Sequence, residues 1–214
     1  GIGNAIVDCL TSGDEDFLER HCLTKGSMTL VDAERVTTIY RDMESTIEMS
    51  GGSVGNTMAG FASLGGTGSY IGKIHADTPG ATFHQDMERL GVQFCAPISS
   101  TGAMTARCLV IVTPDGQRSM ATHLGACLEL GPEDIDEDII SGHRIVYLEG
   151  YLWDSPKATS VISKAIGIAK ANNREVALTL SDSLCVDRHR ESFQDLIHKN
   201  VDILFANEEE ITSL

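Results

Sequence analysis

The sequence predicts an α/β protein with a mostly parallel central sheet flanked by helices. In its second half, short apolar runs alternate with segments whose apolar residues recur at helical spacing, which is typical of successive βα units. Earlier in the chain, residues 50–66 place paired glycines on both sides of a small-residue helix, as ligand-binding turns often do. Residues 98–124 have neither pattern and predict a β-hairpin outside the parallel sheet.

The βα units can be placed in order. The apolar run 144–148 predicts a buried strand, and Pro156 opens a helix that Asn172 ends. Residues 176–180 and 201–206 predict the next two strands, with a second helix between them. Successive units of this kind imply right-handed crossovers and a crevice at the carboxyl ends of the strands.

The charged stretch 187–191 lies between the last two predicted strands. Its mixed signs predict the solvated start of the second helix.

Near the amino terminus, an apolar run ends at Asp8, which predicts a carboxylate at the carboxyl end of a buried strand. Such a carboxylate can accept hydrogen bonds from two adjacent hydroxyls, although a loop or capping role is the alternative. The hairpin is predicted from residues 106–112 and 118–122, which flank a turn that contains Gly116.

The glycine-rich turn brings backbone and side-chain groups to one place. Gly51 and Gly52 allow close approach of a ligand, and Asn56 offers both a carbonyl and N–H donors. In the alternative interpretation, this is a plain turn whose helix is capped by Ser53. The helix is expected to pack through an apolar face formed by Ala59, Phe61, Ala62 and Leu64.

Composition limits the classes of function. The chain has 214 residues, 42% of them hydrophobic and 22% charged, which suits one compact domain or a domain with an appendage. A net charge of −15 argues against nucleic acid or an anionic membrane as the partner. No apolar run is long enough to cross a bilayer.

Six cysteines show no regular spacing, which predicts reduced thiols in a cytoplasmic protein. The seven histidines are equally scattered, so no transition-metal site is expected.

Asn207 and Glu210, near the last residue, have the spacing of a helix capping box. The alternative is that Glu210 also faces Mg²⁺ through water at a strand-to-helix junction.

Several of these segments together resemble the ribokinase/adenosine-kinase family of sugar and nucleoside kinases, also called the phosphofructokinase-B family. Residues 50–66 are similar to the family's first signature, 68–80 to the strand, turn and helix that follow it, and 1–8 to its first strand. Asn207 to Glu210 fits its N-x-x-E motif. Residues 101–102 and 117–120 look closest to adenosine-kinase-like members.

The resemblance implies a ribokinase-like fold with a small β lid, formed by about residues 12–48 and 98–124, through which two copies can pair. It implies ATP-dependent phosphorylation of a primary hydroxyl on a sugar or nucleoside, with Mg²⁺. The substrate-binding residues would be Asn4, Asp8, Gly51, Gly52, Ser53 and Asn56. Asn207 and Arg118 would bind phosphate, and Glu210 would bind the metal. In the alternative interpretation, Arg118 is a solvent-exposed side chain on the hairpin without a role in the chemistry.

The family's Gly-Ala-Gly-Asp segment, which supplies the anion hole and the catalytic base, does not occur in this sequence. We therefore expect residues 1–214 to be the N-terminal two-thirds of an enzyme, without the nucleotide-binding third and inactive alone.

Two other classes stay open. The first is a non-catalytic sugar- or nucleoside-binding module. The second is a dinucleotide-binding protein, for which residues 1–6 have Ile where the last glycine of G-x-G-x-x-G belongs. A P-loop is excluded because Gly72-Lys73 lacks the rest of its motif.

Overall fold

The computed structural model describes all residues, from 1 to 214, as an α/β protein with ten strands and eight α-helices. The strands are β1 Ile6–Ser12, β2 Met28–Leu30, β3 Ile47–Ser50, β4 Gly68–Tyr70, β5 Val92–Phe94, β6 Ala106–Val112, β7 Arg118–His123, β8 Ile145–Glu149, β9 Glu175–Thr179 and β10 Ile203–Phe205. The helices are α1 Glu15–Arg20, α2 Ala33–Asp42, α3 Ser53–Ser63, α4 Thr78–Arg89, α5 Glu137–Gly142, α6 Ala158–Ala171, α7 Ser183–Asn200 and α8 Glu208–Ser213.

A parallel central layer forms the core of the molecule. Strands β8, β9 and β10 pair in parallel, as do β4 and β5. The first residues of the chain join the two groups, because Ile2 makes parallel bridges to both Ile71 and Leu148. The resulting order is β5, β4, residues 1–3, β8, β9 and β10, which confirms the predicted parallel sheet.

One face of this layer is covered by α6 and α7. Strand residues that alternate along β8 and β9, including Leu148 and Leu178, are fully buried there with Ala165 of α6 and Phe193 of α7. Parallel strands connected by helices bury their apolar residues in this way.

A second sheet of five strands has the order β2, β7, β6, β1 and β3. The predicted hairpin is confirmed, since β6 and β7 pair antiparallel around a turn in which Gly116 has φ +80°. One expectation was wrong. Residues 1–8 are not one strand of the central sheet, because the chain leaves that sheet after Gly3 and enters β1 at Ile6. Asp8 therefore lies inside a strand and not at its end.

The two faces of the five-stranded sheet differ. Val7 and Cys9 on one face are buried in a cluster that includes Ile39 of α2 and Phe17 of α1. The opposite face carries Asp8, because side chains alternate along a strand. By strand register, the same face carries the exposed side chains of Met28, Leu30, Ile47 and Met49.

Helix α3 does not use the predicted apolar face. Phe61 and Leu64 are 50% and 89% exposed, whereas Val54, Gly55 and Met58 are buried. The prediction failed because small and apolar residues surround this helix on most sides, so periodicity alone does not select the buried face.

Helix α7 begins earlier than predicted. Asp182 caps it by accepting a hydrogen bond from the Cys185 backbone N–H at 2.6 Å, so residues 187–191 lie within the helix. There Arg188 and His189 both bind the carboxylate of Asp154, at 2.8 and 2.9 Å. The helix predicted to open at Pro156 begins at Ala158. No helix has both the length and the hydropathy needed to span a membrane.

Candidate substrate site

Asp8 and Gly51 are in direct contact at the centre of the candidate site. Asp8 pairs across the sheet with Met49 of β3 and Cys108 of β6. Strand β3 ends one residue before Gly51, whose N–H donates to the carbonyl of Ile6 at 2.8 Å. A Cβ added to Gly51 would lie 2.3 Å from Cγ of Asp8. The absence of a side chain at Gly51 is therefore what makes room for the carboxylate.

The carboxylate of Asp8 accepts no hydrogen bond and forms no ion pair within the chain, although the residue is half-buried. Burial raises the pKa of Asp8 to about 6, and the positive charge of Arg118 opposes that rise. A half-buried carboxylate that lacks a partner loses solvation without compensation. Such a group is therefore ready to accept hydrogen bonds from a ligand.

Gly52 and Asn4 form the other half of the turn. Gly52 has φ +79°, and a Cβ there would lie 2.5 Å from the carbonyl oxygen of Asn4. Gly52 is also the N-cap of α3, and its carbonyl accepts the N–H of Asn56 at 2.9 Å. The alternative in which Ser53 caps the helix is wrong, because Ser53 is the first helical residue and makes no capping hydrogen bond.

The predicted substrate residues are thus brought together in part. Asn4, Asp8, Gly51 and Gly52 are in contact with one another through the pairs just described, and Ser53 follows directly. Asn56 lies one turn further along α3, where it is exposed and its side chain makes no intramolecular hydrogen bond. Their roles in binding stay predictions.

Glu149, at the end of β8, connects the segment at Asn4 to the start of α3. It was not identified as a site residue from the sequence. Its Oε1 accepts the N–H of Asn4 at 2.7 Å, and its Oε2 accepts the N–H of Val54 at 3.0 Å. Burial raises the pKa of Glu149 to about 7, while the two N–H donors act in the opposite direction. The available signal was an acidic residue directly after the apolar run 144–148, at the edge where open α/β sheets bind ligands.

Asn207 and Glu210 form the predicted capping box. The Asn207 side chain accepts the N–H of Glu210 at 2.8 Å, and Glu210 accepts the N–H of Asn207 at 3.2 Å and its side-chain amide at 2.9 Å. Asn207 lies two residues past Phe205, which aligns with Glu149 through Thr179. Phe205 and Glu149 therefore lie two strand spacings apart, about 10 Å.

The residues around Glu210 fit only part of a magnesium site. No group of three or more His, Cys, Asp or Glu side chains is arranged to hold a metal ion. Both oxygens of Glu210 already accept hydrogen bonds, yet a carboxylate has further lone pairs. Mg²⁺ at phosphate-transfer sites uses one or two carboxylates with water and substrate phosphates. The single carboxylate of Glu210 is compatible with that arrangement.

Arg118 lies at the start of β7, exposed and without an ion pair. Its charge influences Asp8, as described above, so the two belong to the same electrostatic environment. Its side chain is free to turn toward an anion.

A separate groove lies elsewhere on the molecule. It has a volume of about 760 Å³ and follows the open face of the central sheet beside α3, where Tyr147, Ala177, Phe205, Met58 and Phe61 line it. None of the predicted site residues lines this groove.

The chain has an open parallel sheet, a glycine turn at its carboxyl edge and a carboxylate held over that turn by a second sheet. α/β proteins with open sheets bind small ligands in a crevice at this edge. Residues 23–214 match the family described as pfkB family carbohydrate kinase. The chain belongs to this family.

Curated relatives and solved structures agree with that assignment. Guanosine-inosine kinase of Escherichia coli K12 is 28% identical over the whole chain, which spans 52% of that protein. The crystal structure of adenosine kinase from Sinorhizobium meliloti superimposes with a TM-score of 0.92 at 47% identity, over 99% of this chain and 65% of that one. A probable sugar kinase from Rhizobium etli gives a TM-score of 0.92 at 46% identity, over 99% of this chain and 64% of that one.

Adenosine kinase from Anopheles gambiae, at 22% identity and a TM-score of 0.84, shows the ribokinase-like fold alone. The chain spans about half the length of the curated relatives that match it along its whole length.

Proposed function

We propose that the protein containing this chain transfers the γ-phosphoryl group of ATP to a primary hydroxyl of a nucleoside or a related sugar. The observation that carries the proposal is Asp8, a half-buried carboxylate without an intramolecular partner, seated against Gly51. It can accept hydrogen bonds from two neighbouring hydroxyls, which ribose and hexoses both offer. Asn4, Gly52, Ser53 and Asn56 complete the proposed hydroxyl-binding group.

A nucleoside suits the surroundings of Asp8 better than a free sugar does. The sheet face that carries Asp8 also carries Met49 and Cys108 beside it, and Leu10 further along. Apolar side chains next to a hydroxyl-binding carboxylate match a ligand with a polar ribose and a flat, weakly polar base. The adenosine and guanosine-inosine kinases among the similar proteins support the same choice.

Phosphate and metal have candidate residues of their own. Arg118 and Asn207 would contact phosphate groups, and Glu210 would hold Mg²⁺ through water. The metal ion would neutralise charge on the transferring phosphate. Phosphoryl transfer depends mostly on positioning and charge stabilisation.

Residues 1–214 alone are proposed to be inactive. They contain no Gly-Ala-Gly-Asp segment. By resemblance to the family, that segment would supply the anion hole and the catalytic base. Positioning the substrate without stabilising transition-state charge leaves most of the barrier in place.

The test is Asp8→Ala in the full-length protein, assayed for phosphorylation of adenosine, guanosine, inosine, ribose and fructose. We expect kcat/KM for the best substrate to fall roughly 30- to 700-fold, because a pocket built for hydroxyls loses its acceptor. This fall corresponds to a loss of about 2 to 4 kcal/mol of transition-state stabilisation. Asp16→Ala is the matched control, since Asp16 is exposed on α1 and its side chain has no partner. An unchanged kcat/KM in Asp8→Ala would contradict the assignment of Asp8.

The second candidate is a non-catalytic nucleoside-binding module. It is favoured if the full-length wild type binds a nucleoside, as measured by calorimetry, and transfers no phosphate to any acceptor in the panel.

A further inference from the structure

We infer that Glu149 is a positioning residue whose carboxylate fastens the segment at Asn4 to the start of α3 and thereby keeps the hydroxyl-binding group assembled. This inference rests on the proposed function, because the role of that group in binding is itself proposed. Glu149 is 1% exposed and both of its carboxylate oxygens bind backbone N–H groups, so it holds the backbone of the site in place.

The geometry joins parts of the chain that are far apart in sequence. One carboxylate oxygen binds the Asn4 N–H at 2.7 Å and the other binds the Val54 N–H at 3.0 Å. Asn4 in turn contacts Gly52 through its carbonyl oxygen. The three segments at the site, from the central sheet, the glycine turn and β8, therefore meet at a single side chain.

Two further features show that the surroundings are built around this carboxylate. A Cβ on Gly3 would lie 2.9 Å from Cδ of Glu149, so a glycine is needed for the carboxylate to reach both amides. Val54 is the second residue of α3, where backbone N–H groups have no partner within the helix and the helix dipole favours a negative charge. Glu149 supplies the partner that the N-cap, Gly52, cannot.

The charge on Glu149 controls the strength of this attachment. Ionised, it offers two acceptors to two donors, whereas a protonated carboxyl turns one oxygen into a competing donor. No cationic side chain compensates its charge. The titratable groups that face it are Tyr70, Cys127, Tyr151 and Cys185, and burial raises the pKa of each, so all are neutral near pH 7.

The first experiment uses the full-length wild type labelled with ¹⁵N at Asn and Val. Because both amides bind the same carboxylate, the amide shifts of Asn4 and Val54 should move together with one midpoint near pH 7. Independent movement, or none between pH 5 and 9, would overturn the inference. This measurement needs no variant, so it decides the matter even if a substitution prevents folding.

The second experiment compares steady-state kinetics of wild type and Glu149→Gln. Gln keeps the size but presents one acceptor to two N–H donors, so we expect KM for the nucleoside to rise about 10- to 100-fold. KM for ATP should stay within about 2-fold, because a shift in the hydroxyl-binding group affects one substrate only.

Asp134→Asn is the matched control. Asp134 is a second buried carboxylate, 3% exposed, and it forms an ion pair with Lys73 at a distance of 2.6 Å. This pair is not part of the glycine turn. Asp134→Asn should lower the melting temperature without changing KM for the nucleoside. An unchanged nucleoside KM in Glu149→Gln, with an active wild type, would overturn the inference. If the wild type phosphorylates nothing while the two amides still titrate together, the proposed function fails and the attachment through Glu149 is supported.

Discussion

The carbonyl oxygen of Asn4 lies 2.5 Å from the position that an ideal Cβ on Gly52 would occupy, which is too close for a side chain there. Neither partner can move away easily. Asn4 is held by its N–H bond to Glu149, and the Gly52 carbonyl accepts the first hydrogen bond of α3. The turn therefore requires glycine for two reasons, its φ of +79° and this backbone contact.

Gly52→Ala is expected to destabilise the protein by at least about 3 kcal/mol, because an unfavourable φ and a backbone clash add together. Gly91→Ala separates the two causes. Gly91 has the same φ of +79° with nothing within 4 Å of its ideal Cβ, so it should lose only about 1 to 2 kcal/mol. Urea unfolding of both variants measures the difference. Equal losses would show that the contact with Asn4 relaxes freely.

Asp8→Asn should stabilise the protein at high pH while it weakens substrate phosphorylation. The pKa of Asp8 is raised from 3.8 to about 6 in the folded state, so folding favours the protonated form. The stability that this group contributes is therefore complete below about pH 4 and is lost as pH rises through 6. Asn carries no charge and avoids that loss.

Because Asp8 is partly exposed, the gain at pH 8 should be about 1 to 2 kcal/mol, with none at pH 4. Urea unfolding at both pH values measures it. Glu149 should leave a residual loss in the variant, since its pKa is raised in the same direction, from 4.5 to about 7. A variant less stable than wild type at pH 8 would show that Asp8 has an intramolecular partner in solution.

The sequence predicts the parallel sheet and the hairpin because both depend on local patterns. The apolar runs that became β8, β9 and β10 alternate with helices, and Gly116 marks the hairpin turn. It places Asp8 wrongly, because an apolar run does not show that the chain changes sheets between Gly3 and Ile6. That break depends on bridges from Ile2 to distant strands.

The candidate site shows the same division. Paired glycines are visible in sequence. Their neighbour Asn4 is indicated by family resemblance, whereas Asp8 is indicated both by the apolar run before it and by that resemblance. Glu149 was missed because its partners are backbone amides, 145 and 95 residues away, and a backbone amide carries no sequence signal.

Glu210→Gln should affect Mg²⁺ dependence more than folding. Glu210 accepts both the Asn207 N–H and its side-chain amide, and the Gln carbonyl can keep one of these two hydrogen bonds. The loss of stability should therefore be about 1 kcal/mol. A proposed water-mediated metal ligand that loses its charge should raise the Mg²⁺ concentration needed for half-maximal rate. The full-length protein is assayed across a Mg²⁺ series and melted in parallel. A lower melting temperature with unchanged Mg²⁺ dependence would leave Glu210 as a helix cap only.

The isolated chain of residues 1–214 should self-associate through the open face of its central sheet. Phe205 is 52% exposed on that face, and β10 pairs only with β9, so apolar surface and an unpaired strand edge coincide. Phe205→Glu should therefore lower the mass measured by sedimentation velocity toward the 23.0 kDa monomer. Leu184→Glu is the control, since Leu184 is 68% exposed at the start of α7. Ile47 is 63% exposed on the open face of the five-stranded sheet. If Ile47→Glu gives the monomer and Phe205→Glu does not, the copies pair through the five-stranded sheet and the prediction is wrong.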